Sequence, residues 1–190
     1  MSPTRLESFS DAVLAIIITI MVLELHVPEH STLDALAETL PTLLTYAISF
    51  SIIATYWNNH HHLLRNTHRI GPSIMWSNFF FLFWVSLIPF LTRWMGDFYT
   101  ESLPAASYAI LLAMSGIAYN ILQRAIVKTG GDPDIDERIG NNAKGRVSLV
   151  LYIVAAPLAF VTPWIAYAIF VGIAAWWFIP DRRLLAKPDA

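Results

Sequence analysis

The chain has no cysteine among its 190 residues, which excludes a disulfide framework and any thiolate metal or redox site. Charge is scarce: 14% of residues are Asp, Glu, Lys or Arg, where a soluble domain has about a quarter. The formal net charge of -2 offers no basic surface for nucleic acid. Glycine is also sparse, and no phosphate-cradling glycine loop occurs; Gly130-Gly131 precede Asp132-Pro133, which is turn chemistry. Ser8, Ser10, Asp11 and His60 stand in no order or spacing of a nucleophile–base set, so no enzyme is expected. The first residues lack the pattern of a cleaved signal peptide, because Glu7 and Asp11 interrupt it. The first apolar block is therefore expected to stay.

What the chain has in excess is apolar length. Hydrophobic residues make up 56% of it and the mean hydropathy is +0.53. The excess comes in blocks, roughly Leu6–His26, Leu36–Trp57, Ile74–Trp94, Leu103–Val127, Val147–Thr162 and Pro163–Ile179. About 20 residues at 1.5 Å each cross the hydrocarbon of a bilayer, with a range near 17–25. The expected fold is an all-α integral membrane protein of six transmembrane helices, forming one domain over residues 1–190. The last two blocks are short and meet at Thr162-Pro163. They read as a tight hairpin, since proline is tolerated at the first helical position; one long kinked segment is the alternative. Ser2-Pro3 reads as a cap followed by proline, and Thr4 with Glu7 has capping-box spacing. Pro89 and Pro157 fall inside blocks, where membrane helices accept a kink.

Every lysine and arginine except Arg93 falls before block one, between blocks two and three, at the end of block four (Arg124) or between it and block five, or after six. The positive-inside rule makes that side cytoplasmic, with both termini on it, and the split requires an even number of spans. The location expected is the cell membrane. Small residues recur at helical spacing in block four (Ala105, Ala109, Ala113, Gly116) and in block six (Ala168, Gly172), a pattern that lets helices approach closely in lipid.

The strongest local signal is Arg5-Leu6-Glu7-Ser8-Phe9-Ser10-Asp11, followed by twelve residues without formal charge. An aspartate inside a membrane costs about 2.5–3.5 kcal/mol on insertion scales, so Asp11 is expected to face protein and find a partner. Arg5 lies on another face of the same helix. Trp57 and His60, ending block two, and Asn78, entering block three, stand at matching depth and can donate to Asp11. His60-His61-His62 does not read as a metal site, because adjacent helical residues point about 100° apart; His60 is expected to pack inward and the other two to face cytoplasm. Ile16, Thr19, Ile20 and Leu23 share one face of the first helix, but that helix is apolar nearly all round, so periodicity does not say which face lines anything. Glu24, at the outer end, reads as an interface marker, with attraction of cations to a mouth as the alternative.

Arg5-x-x-x-Phe9-Ser10-Asp11 opening a first membrane helix resembles the signature of the transmembrane protein 175 family of lysosomal potassium channels. Trp57-x-x-His60, Asn78 and the Leu87-Ile88-Pro89-Phe90 run resemble that family's second and third helices. The resemblance implies a homotetramer of six-helix subunits, with helix 1 of each lining a central pore. It implies a hydrophobic constriction at Ile16, extended by Ile20 and Leu23, and a selectivity role for Thr19. It makes potassium the permeant ion, with no cofactor, and gives Arg5, Phe9, Ser10, Asp11, Trp57, His60 and Asn78 a structural part behind the pore. Apolar rings of this kind gate by dewetting. The lipid bilayer and the other three subunits are the partners expected. The competing reading is a proton-coupled secondary transporter with Asp11 and His60 as its relay. A membrane-embedded enzyme or scaffold without ion flux is the third.

Overall fold

The computed structural model describes residues 2–65, 67, 69–129 and 143–178. Its helices are α1 (Pro3–Leu23), α2 (Leu33–Glu38), α3 (Leu40–Arg65), α4 (Pro72–Ser86), α5 (Ile88–Asp97), α6 (Ser102–Thr129), α7 (Ala143–Leu158) and α8 (Pro163–Phe178). The body of the fourth-to-fifth loop and everything from 179 lie outside the described residues, with Arg138, Pro180, Arg182, Arg183 and Lys187.

Each apolar block is helical, with shifted bounds, and block three is divided into two helices. Block two starts later and runs further, because the short α2, capped by the Thr32 side chain, precedes it and the histidine run continues α3 to Arg65. At the N-terminus the cap is Ser2, whose hydroxyl accepts from Arg5 N–H at 3.4 Å, with Pro3 in the first turn. The Thr4–Glu7 capping box does not form: Thr4 is already helical, and its carbonyl accepts from Ser8 Oγ at 2.9 Å. Block three breaks at Leu87, two residues before Pro89, since proline lacks an N–H and crowds the carbonyl four residues back. The hairpin expected at Thr162-Pro163 is present, with Pro163 opening α8, and Pro157 lies inside α7.

Among the described residues, four segments are long and apolar enough to cross a membrane: α1, α3, α4 with α5, and α6. Helices α7 and α8 have 16 residues each, about 24 Å at 1.5 Å per residue.

Helix α6 is the centre of the bundle and packs against α4, α5, α7 and α8. Ala105, Ala109 and Ala113 are buried on it, so its small-residue stripe is a packing face. The stripe on α8 is not: Ala168 is exposed, and a Cβ on Gly172 would meet nothing within 4 Å. Lipid supplies little hydrophobic drive for helix association, so polar contacts and close approach carry specificity. Ser49 on α3 sits 2.7 Å from Thr92 Oγ1 on α5 and 2.7 Å from Tyr108 Oη on α6, all three buried. Gly96 lets α5 come close to α3, since a Cβ there would lie 2.9 Å from Thr45 Oγ1 and 3.1 Å from Thr42 Cα.

Candidate functional site: a polar ladder behind the first helix

Helix α1 has two faces. Leu6, Ser10, Leu14, Ile17 and Met21 are buried, at the three-and-four spacing of one helical stripe, and lie against α3, α4 and α5. The other face is largely open among the described residues: Ile16, Ile20 and Leu23 are exposed, Ile16 by 58% and Leu23 by 78%, Thr19 is exposed beside them, and Phe9, also exposed, has an edge contact with Phe79. Thr19 Oγ donates to the Ala15 carbonyl at 2.9 Å, so its proton is spent on the backbone while its oxygen keeps its acceptor capacity.

Ser10 is the foot of a hydrogen-bond ladder with one direction. Its hydroxyl donates to the Leu6 carbonyl at 2.9 Å and accepts from Asn78 Nδ2 at 2.9 Å. Asn78 Oδ1 lies 2.7 Å from His60 Nε2. With the amide hydrogens turned to Ser10, the carbonyl can only accept, so His60 carries its proton on Nε2. Its Nδ1 is buried with no hydrogen-bond partner among the described residues. Phe81 stacks on the imidazole, centroids 5.7 Å apart at 16°. Ser10, His60 and Asn78 are all fully buried, so each bond is made in a setting where an unpaired polar group is costly.

Asp11 is half-buried and takes a single one of its three expected donors. Trp57 Nε1 donates to Asp11 Oδ1 at 3.0 Å, while the imidazole and the amide turn to each other and to Ser10. The reason is helical: Ser10 and Asp11 point about 100° apart, so one buried set cannot serve both. The same rotation separates the histidines. His60 is buried, as expected, whereas His61 and His62 are half-buried. His61 Nδ1 meets Glu7 Oε1 at 2.7 Å, and its ring stacks on Trp57, centroids 6.1 Å apart. Arg5 is exposed, and its backbone N–H serves the Ser2 cap. Phe9 meets Phe79 edge-on at 5.7 Å.

The sequence reading missed two pairs. Glu7–His61 was legible in principle, since each lies one turn or one residue from a residue already placed at that depth. At the far end of α1, Arg93 pairs with Glu24, approaches His26 Nε2 at 3.2 Å and Asp97 Oδ2 at 3.6 Å. Glu24 is therefore a fastening between α1 and α5 and more than an interface marker. Among the described residues no group of three or more His, Cys, Asp or Glu side chains is placed to hold a metal ion.

A bundle of apolar helices whose first member is bonded to its neighbours along one side, and bare along the other, defines a multi-helix membrane protein with a free face on its N-terminal helix. Residues 5–89 match the family described as endosomal/lysosomal potassium channel TMEM175. A potassium channel of Chryseobacterium sp. (strain P1-3) is 44% identical over 185 residues, covering 97% of this chain and 96% of its own. A potassium channel of Streptomyces collinus is 29% identical over 83% of this chain and 82% of its own. In three dimensions the chain is similar to a lysosomal potassium-selective channel TMEM175 homolog from Chamaesiphon minutus, solved by crystallography. That match has a TM-score of 0.82 and 26% identity, covering 96% of this chain and 98% of the other. The chain belongs to the TMEM175 family of potassium channels.

Proposed function

We propose that the protein is a passive, modestly potassium-selective cation channel of the cell membrane, built as a homotetramer with α1 of each subunit around a central pore. The carrying observation is the bare apolar face of α1, opposite a face bonded to the rest of the subunit. Six spans per subunit, with α7 and α8 as a short hairpin, keep both termini on the cytoplasmic side, where the basic residues gather.

In this reading Ile16, Ile20 and Leu23 form successive apolar rings that narrow a water-filled path and close it by dewetting. Thr19 stands among them with its hydroxyl proton on Ala15, so four oxygens present lone pairs to a cation that has shed part of its water. The Ser10–Asn78–His60 ladder and the Asp11–Trp57 bond hold the pore helix in rotation from behind and touch no ion. A proton relay through Asp11 and His60 has less support: they stand in separate hydrogen-bond sets, and no hydrogen bond joins them among the described residues.

The test is current across a planar bilayer holding the purified protein, with potassium on one side and sodium on the other. A reversal potential displaced toward the potassium equilibrium is expected. Silence at every voltage from folded protein would overturn the channel reading and make flux driven by a proton gradient the next measurement.

A further inference from the structure

Away from the ladder, α3, α6, α7 and α8 line a partly open chamber of about 50 Å³. A water needs roughly 10–15 Å³ on this measure, so the chamber has room for about three to five waters or one small organic molecule. Its wall carries polar side chains, Tyr56, Asn59, Tyr119, Asn120 and Ser148, interleaved with aliphatic ones, Ile52, Leu149 and Ile173. Among the described residues no charged side chain lines it, so an ion of either sign would lose its hydration without a counter-charge. The size and the mixed lining suit an uncharged molecule with one hydroxyl and a short apolar stem.

Backbone and side chains hold the space open. A Cβ on Gly116 would meet only Leu149 Cδ1 at 3.6 Å and Tyr56 Oη at 3.8 Å, so the missing side chain is volume left to the chamber. The Gly116 carbonyl accepts from Asn120 Nδ2 at 2.8 Å, which leaves the Asn120 oxygen as an acceptor at the wall. Trp177 Nε1 donates to Ser148 Oγ at 3.1 Å and ties α8 to α7 beside it. The wall also reaches the ladder. Tyr56 and Tyr119 both contact Phe81, at 5.3 and 5.4 Å between centroids, and Phe81 stacks on His60.

From this geometry we infer that the chamber is a binding site for a small uncharged alcohol, which displaces water there and acts on the channel through Phe81 and His60. The binding does not depend on the channel reading; the effect on current does. The probe is 2,2,2-trifluoroethanol, followed by its ¹⁹F resonance over full-length protein in nanodiscs, over empty nanodiscs and over two variants. Wild type is expected to add a saturable broadening that ethanol competes away. Gly116→Ala, which fits with ordinary contacts, weakens it, and Gly116→Leu, which fills the chamber, removes it. Because the alanine variant adds one methyl at ordinary van der Waals distance from its neighbours, it stays informative if the leucine variant does not fold. Equal broadening in wild type, the alanine variant and empty nanodiscs would overturn the site. In the bi-ionic current assay, the alcohol is expected to change wild-type current reversibly and to leave Gly116→Leu unmoved. Binding without any change in current would overturn the modulatory role, whereas absence of current without alcohol would count against the channel reading and leave the binding result intact.

Discussion

Trp57 and Asp11 meet at 3.0 Å, an indole N–H on α3 against a carboxylate on α1, and this is the one hydrogen bond that the carboxylate receives from another helix among the described residues. A hydrogen bond to a charged group contributes about 1.5–3 kcal/mol. Trp57→Phe keeps a ring beside His61 but removes the donor. Thermal unfolding in detergent is expected to fall by several degrees, with a smaller fraction of the proposed tetramer on size-exclusion chromatography. An unchanged melting point and unchanged assembly would show that solvent serves the carboxylate as well as the indole does.

The Ser10–Asn78–His60 ladder predicts coupled losses. Asn78→Ala strands the His60 N–H and the Ser10 oxygen together, each worth about 1–3 kcal/mol when buried and unpaired. Ser10→Ala alone strands one amide hydrogen. A double-mutant cycle on unfolding free energy is expected to give a coupling of about 0.5–3 kcal/mol. A coupling near zero would place the two side chains in independent environments.

Ile16→Asn is expected to raise single-channel conductance and weaken potassium selectivity, because a polar ring keeps the narrow path wet. Thr19→Val, of nearly equal volume, removes the oxygen and is expected to move the bi-ionic reversal potential toward zero. Current unaffected by the first change, or an unmoved reversal potential after the second, would take that residue out of the pore lining.

Gly96→Ala tests the close approach of α5 to α3. The added Cβ would press on Thr45 Oγ1 and on the Thr42 backbone, and only the former can move aside. Overpacking of this kind costs about 1–3 kcal/mol, readable as a lowered melting temperature. Gly172→Ala, where nothing lies within 4 Å, is the matched control and is expected to leave the subunit's melting temperature unchanged.

Much of this architecture was legible because a bilayer demands long apolar helices and proline punctuates them. The six blocks, the hairpin at Pro163 and the inward turn of His60 follow from length, proline chemistry and depth. Depth also brought Trp57, His60 and Asn78 to the level of the Arg5–Asp11 segment. It could not say that Asn78 serves Ser10 and turns its oxygen to His60 while Trp57, of the three, serves Asp11, because that choice turns on about 100° of helix rotation. In a helix apolar nearly all round, no periodicity reports rotation. The Glu24–Arg93 pair was hidden for a related reason: both residues sit at the expected interface, and nothing local shows that α1 and α5 end side by side. The family resemblance pointed to the Ile16–Leu23 face, and the subunit leaves that face bare.

The break at Leu87 acquires a mechanical sense from these fastenings. Helix α4, before it, grips the start of α1 through Asn78 and Ser10; helix α5, after it, grips the end of α1 through Arg93 and Glu24. One broken rod thus holds one unbroken rod at both tips, as a jointed brace holds a beam. Straightening or flexing the joint would change the distance between the two grips, and α1 could follow only by tilting or by releasing one of them.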